Sequence, residues 1–444
     1  MIKNDDEKKE VVRSNNQSFL LIYEVAFSFS VLNFLFNGFY KKTFSIAVDW
    51  TLVWFVASGV LLLVGTRLNL NFARRQRSLQ IFAVLIAYLV WRIPDLSLEA
   101  FGTQKVLEAV FLGVPAFIFG MWIGLDGRRF KGLSWLMFLV ASLISLLVTV
   151  SAILIGNVNT SNPFLDGGYQ LTGAFVSCAI LISCVLLTQP EWRTIIVLVG
   201  FQILGLAFIG SVPSFFSLVA LMLIAAFTLY RKRRDRICVQ RIFWALVWGW
   251  LLVLIFAILF GLPAALYRMV WKFDANFSKF SLYSEYVVPG GTITIFGKEI
   301  VKLLPLDMRA NYIDRIELNS AALSDLRQAP IMGMGFGTFE HKGYRTPHNI
   351  ILELGGEAGA LAILIFCFYL NAIFHPLIKL IRERDSREHL LVLVLVFALA
   401  VHVLLLQMVG GYFIGRIQMF FCGLAIGVSM LSARNLSRAG SNSS

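Results

Sequence analysis

Apolar runs recur along the whole chain, broken by short polar stretches and by a single long one. They lie at 18–40, 44–66, 79–94, 104–125, 133–156, 171–188, 194–211, 214–230, 242–267, 350–374, 390–410 and 414–433. A helix needs roughly 20 apolar residues to cross the hydrocarbon layer of a bilayer. The pattern therefore predicts an all-α polytopic membrane protein with about twelve transmembrane helices and one long loop between helices 9 and 10. It divides into an N-terminal tail (1–17), helices 1–9 (18–267), the loop (268–347), helices 10–12 (348–433) and a C-terminal tail (434–444). No soluble part is large enough to carry its own core.

Composition agrees with this class, with 58% hydrophobic residues and a mean hydropathy of +0.76. The first residues mix Lys3, Lys8, Lys9 and Arg13 with Asp5, Asp6, Glu7 and Glu10 and show no small-residue cleavage site. They read as a tail rather than a removed signal peptide. A net charge of +13 raises a nucleic-acid partner, which the distribution of charge argues against. If the N-terminus is cytoplasmic, the inner loops and tails hold most of the Lys and Arg, whereas the short outer loops hold only Lys41, Lys42 and Lys105. Arg231-Lys232-Arg233-Arg234-Asp235-Arg236 is the strongest inner element. This is the positive-inside bias, and it sets topology. It predicts cytoplasmic termini and an outer loop at 268–347. Cys178, Cys184, Cys238, Cys367 and Cys422 lie in or beside helices, so neither a disulfide framework nor metal-ligand spacing is expected.

The loop has internal order of its own. Tyr286 to Phe296 reads as two short extended runs around a turn. Asp307 to Gln328 has helical spacing, with Met308, Tyr312, Ile316 and Leu323 near one face. Then comes Pro330-Ile331-Met332-Gly333-Met334-Gly335-Phe336-Gly337, with no Lys-Ser/Thr after it, so it is no phosphate-binding P-loop. It reads as a tight, interface-hugging loop in which glycine permits positive φ. Arg345-Thr346-Pro347-His348-Asn349 runs directly into the tenth apolar segment. Thr346 is read as its N-cap and Pro347 as its first residue, which puts the imidazole of His348 in the first turn.

Arg315, Pro330, Gly333, Gly335, Gly337, Phe339, Pro347-His348-Asn349 and Glu357-Ala358-Gly359, in this order, resemble the O-antigen ligase and O-antigen polymerase family. The resemblance is best over Arg309 to Leu370, with a weaker stretch at Leu171 to Phe175 and from Gly210 into the basic inner loop. Such proteins are glycosyltransferases of the bacterial inner membrane that take glycans from undecaprenyl diphosphate. The resemblance implies a periplasmic active site and a lipid A core or glycan acceptor; the outer face offers no cluster of carboxylates suited to Mg²⁺ or Mn²⁺, so neither metal nor cofactor is expected. It does not separate ligase from polymerase, or assign an oligomeric state.

Transfer from a polyprenyl diphosphate needs a base for the acceptor hydroxyl and cations for the developing diphosphate charge. The family's essential histidine falls on His348 and its loop arginine on Arg315, whose guanidinium suits bidentate phosphate contact. Arg309, Arg345 and Asn349 are neighbouring candidates for diphosphate or glycan. At the outer start of the eighth helix, where many family members carry an arginine, this chain has Val212. Arg92 and Arg416, both near outer helix ends, are the candidates to replace that charge. On the tenth helix His348, Leu352, Gly355, Gly359 and Ala362 fall near one face, with Glu353 and Glu357 beside it. His402 reads as a hydrogen-bonded core histidine. A polytopic solute transporter is the competing class, and it predicts broken helices and charges near the midplane.

Overall fold

A computed structural model describes residues 76–97, 100–155, 169–231, 236–260, 263, 265–266, 292–295, 298–302, 307–341, 349–383, 387–410 and 416–441. Apart from Gln76 they belong to a unit comprising Arg77–Asn162 and Gly168–Ser444. The predicted helices at 18–40 and 44–66, and the N-terminal tail, lie outside the described residues.

The chain forms a helical, multi-pass membrane protein. In order come α1 (Arg77–Trp91), α2 (Phe101–Gly124), α3 (Gly127–Ile155) and α4 (Tyr169–Ser183), which runs on as a 3-10 turn, Cys184–Thr188. Next are α5 (Trp192–Ile209), α6 (Val212–Arg231) and α7 (Arg236–Phe260). A hairpin of β1 (Thr292–Ile295) and β2 (Lys298–Lys302) precedes α8 (Asp307–Gln328) and the short α9 (Thr338–His341). The last three are α10 (Ile350–Glu383), α11 (Arg387–Gly410) and α12 (Arg416–Ser441). Among the described residues eight helices are long and apolar enough to cross a membrane, and α1 and Thr172–Thr188 are shorter apolar helices.

Local sequence explains the breaks. Pro115 has no N–H to give α2, and just before it the helix widens into a π turn at Ala109–Gly113, where the Val114 N–H reaches the Ala109 carbonyl five residues back. Gly210 ends α5 in the left-handed conformation (φ 79°), and Ser211 then leads into α6 with Pro213 at its second position. Val212 is thus the first residue of α6.

Small residues set how closely the helices approach. Gly120 and Gly124 of α2 lie against the backbone of Phe420 and Leu424 on α12, while Gly423 and Gly427 lie against Phe117 and Met121 of α2. Without a hydrophobic drive between helices in lipid, this close backbone approach is what association uses. The central α5 is tied to α3 by Gln202, whose Nε2 donates to the Phe138 carbonyl (2.9 Å) and Ser142 Oγ (2.8 Å).

The loop carries a hairpin, and one expectation for the loop needs correction. This hairpin pairs Thr292 with Lys302 and Ile295 with Lys298, so its connection follows Ile295, while the run and turn read before Thr292 lie outside the described residues. The Thr-Ile-Thr-Ile alternation suits a strand, and two residues between Ile295 and Lys298 make a hairpin-length loop. The helix α8 has the predicted bounds, but Leu323 is 43% exposed, and the packed side carries Leu318, Ala322 and Asp325. A surface flattened by glycine selects a small residue, and Ala322 meets Gly356 there.

Candidate functional site

The tenth apolar segment is not one continuous helix. It breaks at Gly359 (φ 78°, ψ −178°), so the face drawn through His348, Leu352, Gly355, Gly359 and Ala362 does not continue past that residue. A break exposes backbone groups, and within a bilayer each needs a partner. The loop Pro330–Gly337 supplies most of them. Ala360 N–H donates to Pro330 O (2.9 Å) and Leu361 N–H to Ile331 O (3.4 Å). In the other direction Met334 N–H donates to Gly356 O (3.0 Å) and Gly335 N–H to Glu357 O (2.8 Å). Tyr88 on α1 completes the set, its hydroxyl donating to Ala358 O at 2.8 Å.

Glycine permits this docking, as expected. Gly333, Gly335 and Gly337 have φ of 69°, 124° and 89°. A side chain on Gly333 would run into the Glu357 backbone, and one on Gly359 into the Ile331 carbonyl. Met332 and Met334 are partly exposed, whereas Phe336 and Phe339 are buried.

The loop is also held from the α1 side. Arg92 donates from Nε to Met332 O and from Nη2 to Gly333 O, both at 2.9 Å, and its own carbonyl accepts from Phe336 N–H (2.9 Å). Its guanidinium lies 5.7 Å from the Trp91 ring. Asp95, three residues after Arg92, accepts from Ser97 N–H and Oγ (2.8 and 3.0 Å).

A buried ion pair adds a third tether. Lys105 Nζ of α2 contacts Glu353 Oε1, one turn into α10, and lies 4.4 Å over the Phe101 ring and 5.5 Å from that of Phe336. Glu353 is fully buried, and its Oε2 has no hydrogen-bond partner among the described residues. Glu357 Oε1 accepts from Phe339 N–H at 3.3 Å. Lys105 is thus not a loop charge but sits inside the first turns of α2.

Asn349 is the N-cap of α10. Its Oδ1 accepts from Ile351 N–H (2.9 Å) and Leu352 N–H (3.3 Å), and Glu353 N–H bonds its carbonyl (2.9 Å). This corrects the expected cap at Thr346: the helix starts at Ile350, and His348 precedes the cap instead of lying in the first turn. Asn is among the strongest capping side chains and ranks above Thr.

His348 and Arg345 lie outside the described residues. Arg309 and Arg315 are on α8 and Arg416 opens α12, with the backbone alone described at these three. Among the described residues the structure therefore brings together Arg92, the glycine loop, the break in α10 and the Lys105–Glu353 pair, and sets the capping Asn349 one turn before that pair. Sequence reasoning missed the Lys105–Glu353 pair and the Tyr88 tether. A lysine near the start of an apolar run and Gly355-Gly356 followed by Gly359 inside a helix were the available signs.

His402 is a core histidine, as read. Its Nε2 lies 2.6 Å from Ser177 Oγ on α4 and its Nδ1 2.9 Å from Ser217 Oγ on α6, joining three helices.

No family model matches the chain, and no curated protein matches it.

Proposed function

We propose that this protein is a glycosyltransferase of the O-antigen ligase type. It moves a glycan from undecaprenyl diphosphate to a hydroxyl of an acceptor such as the lipid A core, at the periplasmic face of the bacterial inner membrane. The observation that carries the reading is the docking of Pro330–Gly337 into the break of α10. That loop starts two residues after α8, the helix bearing Arg309 and Arg315, and it bonds α10 at Gly356 to Leu361, in the helix whose start His348 precedes. A joint between these two elements supports the reading, because a transfer reaction rewards reacting groups kept in a constant relation.

The chemistry follows from the groups. The C1–O bond to the diphosphate breaks and a C1–O bond to the acceptor oxygen forms. His348 takes the proton of the acceptor hydroxyl, and the diphosphate leaves with the electron pair of the broken bond. Arg315 stabilises that charge through its fork, with Arg345 and Arg416 as further cations. The Arg92 fork is engaged by Met332 and Gly333 carbonyls, so we assign it to positioning the loop.

One observation favours a transporter: α10 is broken and carries buried carboxylates. In transporters, however, unwound backbone coordinates the cargo. Here the carbonyls of Gly356, Glu357 and Ala358 and the N–H groups of Ala360 and Leu361 are bonded to the protein itself. The transferase reading stands ahead of it.

A repeat-unit polymerase of the same family differs only in its acceptor. The glycolipid profile of a deletion strain tests all three. Loss of glycan-capped core with polymer accumulating on its lipid carrier supports the ligase, and single repeat units on the core support the polymerase. An unchanged profile contradicts both.

A further inference from the structure

The ends of the spans opposite the glycine loop carry a basic face with tryptophans set into it. Trp122 lies two residues before the end of the span Phe101–Gly124, and Trp192 opens the span Trp192–Ile209. Side chains tie the starts of α3, α5 and α7 together here. Lys131 Nζ of α3 donates to Gln189 Oε1 at 2.8 Å, and Arg241 Nη1 of α7 donates to the Leu187 carbonyl. Arg241 and Arg193 both lie over the Trp192 ring, 4.6 and 5.4 Å from its centre, and Arg129 lies 4.2 Å from that of Trp122. A guanidinium laid on an indole face keeps its N–H edge for acceptors.

The sign of this face does not depend on any one pair. The stretches 125–131, 189–193 and 231–241 hold ten Lys and Arg against Asp126, Glu191 and Asp235. Asp126 lies 3.9 Å from Arg129. Residues 232–235, outside the described residues, hold three of those cations and one of the acids, so the excess is positive wherever they lie.

An apolar groove runs from the basic face toward the middle of the membrane. The central α5 meets α3 through Gln202 and Gly205, at Ser142 and Ser145, and meets α7 through Gly200 and Ile203, at Trp248 and Gly249. At about 3.6 residues per turn, Val197 and Phe201 fall between these two sides, one and two turns beyond Arg193. Val197 is 49% exposed and Phe201 partly so, whereas Ile195, Ile196, Val199 and Gly200 around them are buried.

We propose that this groove binds an anionic phospholipid, with its phosphate among Lys131, Arg193 and Arg241 and an acyl chain along Val197 and Phe201. Charge complementarity selects the headgroup, and tryptophan at the span ends sets it at headgroup depth. A zwitterionic lipid would bring its own cation against the basic excess, and a soluble anion would leave the apolar strip without a partner. The lipid bridges α3, α5 and α7 at one end of the spans. The site lies at the other end of the spans from the glycine loop and does not depend on the transfer reaction.

Native mass spectrometry and thermal melting of the full-length protein in detergent test this, with dioleoyl phosphatidylglycerol, dioleoyl phosphatidylcholine and inorganic phosphate as probes. Phosphatidylglycerol should be retained and should raise the melting temperature, and the other two should do neither at the same concentration. One cation near a membrane surface is worth about five-fold in affinity for anionic lipid, so Arg193→Gln should weaken retention by about that factor and Lys131→Gln with Arg193→Gln by roughly twenty-fold. Lys379→Gln removes an exposed cation near the end of α10, outside the groove, and should leave retention unchanged. Melting without lipid shows whether each variant folds. If the double variant does not, Arg193→Gln alone, at an exposed side chain, carries the comparison. Equal retention of phosphatidylglycerol by wild type and Arg193→Gln would overturn the site. Equal retention of phosphatidylcholine, binding of free phosphate in place of lipid, or the same loss in Lys379→Gln would overturn it too.

Discussion

At the scale of single residues, Arg92 shows how a side chain can carry structure where sequence suggested ligand binding. Its two donors on Met332 and Gly333 carbonyls are charge-assisted, each worth about 1.5–3 kcal/mol. Arg92→Gln should therefore lower thermal stability and speed amide exchange at Met334 and Gly335, whose N–H groups bond α10. Arg92→Lys should rescue little, since a single ammonium cannot reproduce the fork. Unchanged melting with lost donor binding would return Arg92 to the diphosphate. Gly359 makes a parallel case. Its φ of 78° and the Ile331 carbonyl beside it leave no room for a side chain, so Gly359→Ala should destabilise by about 1–3 kcal/mol, measured by melting in detergent.

At the scale of elements, the Lys105–Glu353 pair links α2 to the first segment of α10. Removing one partner of a buried pair leaves an uncompensated charge and costs about 3–5 kcal/mol, whereas replacing both is often close to neutral. Lys105→Met alone should destabilise strongly, and Lys105→Met with Glu353→Leu should recover most of the loss in a double-mutant cycle. Helix positions were largely legible, because long apolar runs report span length directly. The predicted 194–211 and 214–230 correspond to Trp192–Ile209 and Val212–Arg231. The break at Gly359 was not legible, because a glycine within an apolar run looks the same whether it packs or unwinds. What decides it is the docked loop, a contact some 25 residues back in the chain that leaves no periodic trace. The glycine spacing of that loop was readable, since positive φ demands glycine, but its partner was not.

At the scale of the molecule, the topology rests on charge asymmetry. A reporter fused within Arg231–Arg236 should be active only in the cytoplasm, and one fused near Gly290 only in the periplasm. Reversal of both would put the glycine loop and His348 on the wrong side for a lipid-linked glycan donor. Of the residues proposed for the site, the glycines of the docked loop were legible as positions that need positive φ. The site's supports, Tyr88, Arg92, Lys105 and Glu353, come from α1, α2 and α10, and their convergence is a property of packing that no local pattern encodes.

The central claim is that His348 and Arg315 perform transfer from a polyprenyl diphosphate. The most direct measurement is glycan transfer by the purified protein in nanodiscs, from labelled undecaprenyl-diphosphate glycan to lipid A core, for wild type, His348→Ala and Arg315→Ala. Loss of a general base costs about 10²-fold or more. Each variant should fall by at least that factor with its melting temperature unchanged, and Arg315→Lys should recover only part of the activity. Near wild-type transfer by a folded His348→Ala protein, or no transfer by the wild type with either a core or a glycan acceptor, would contradict it.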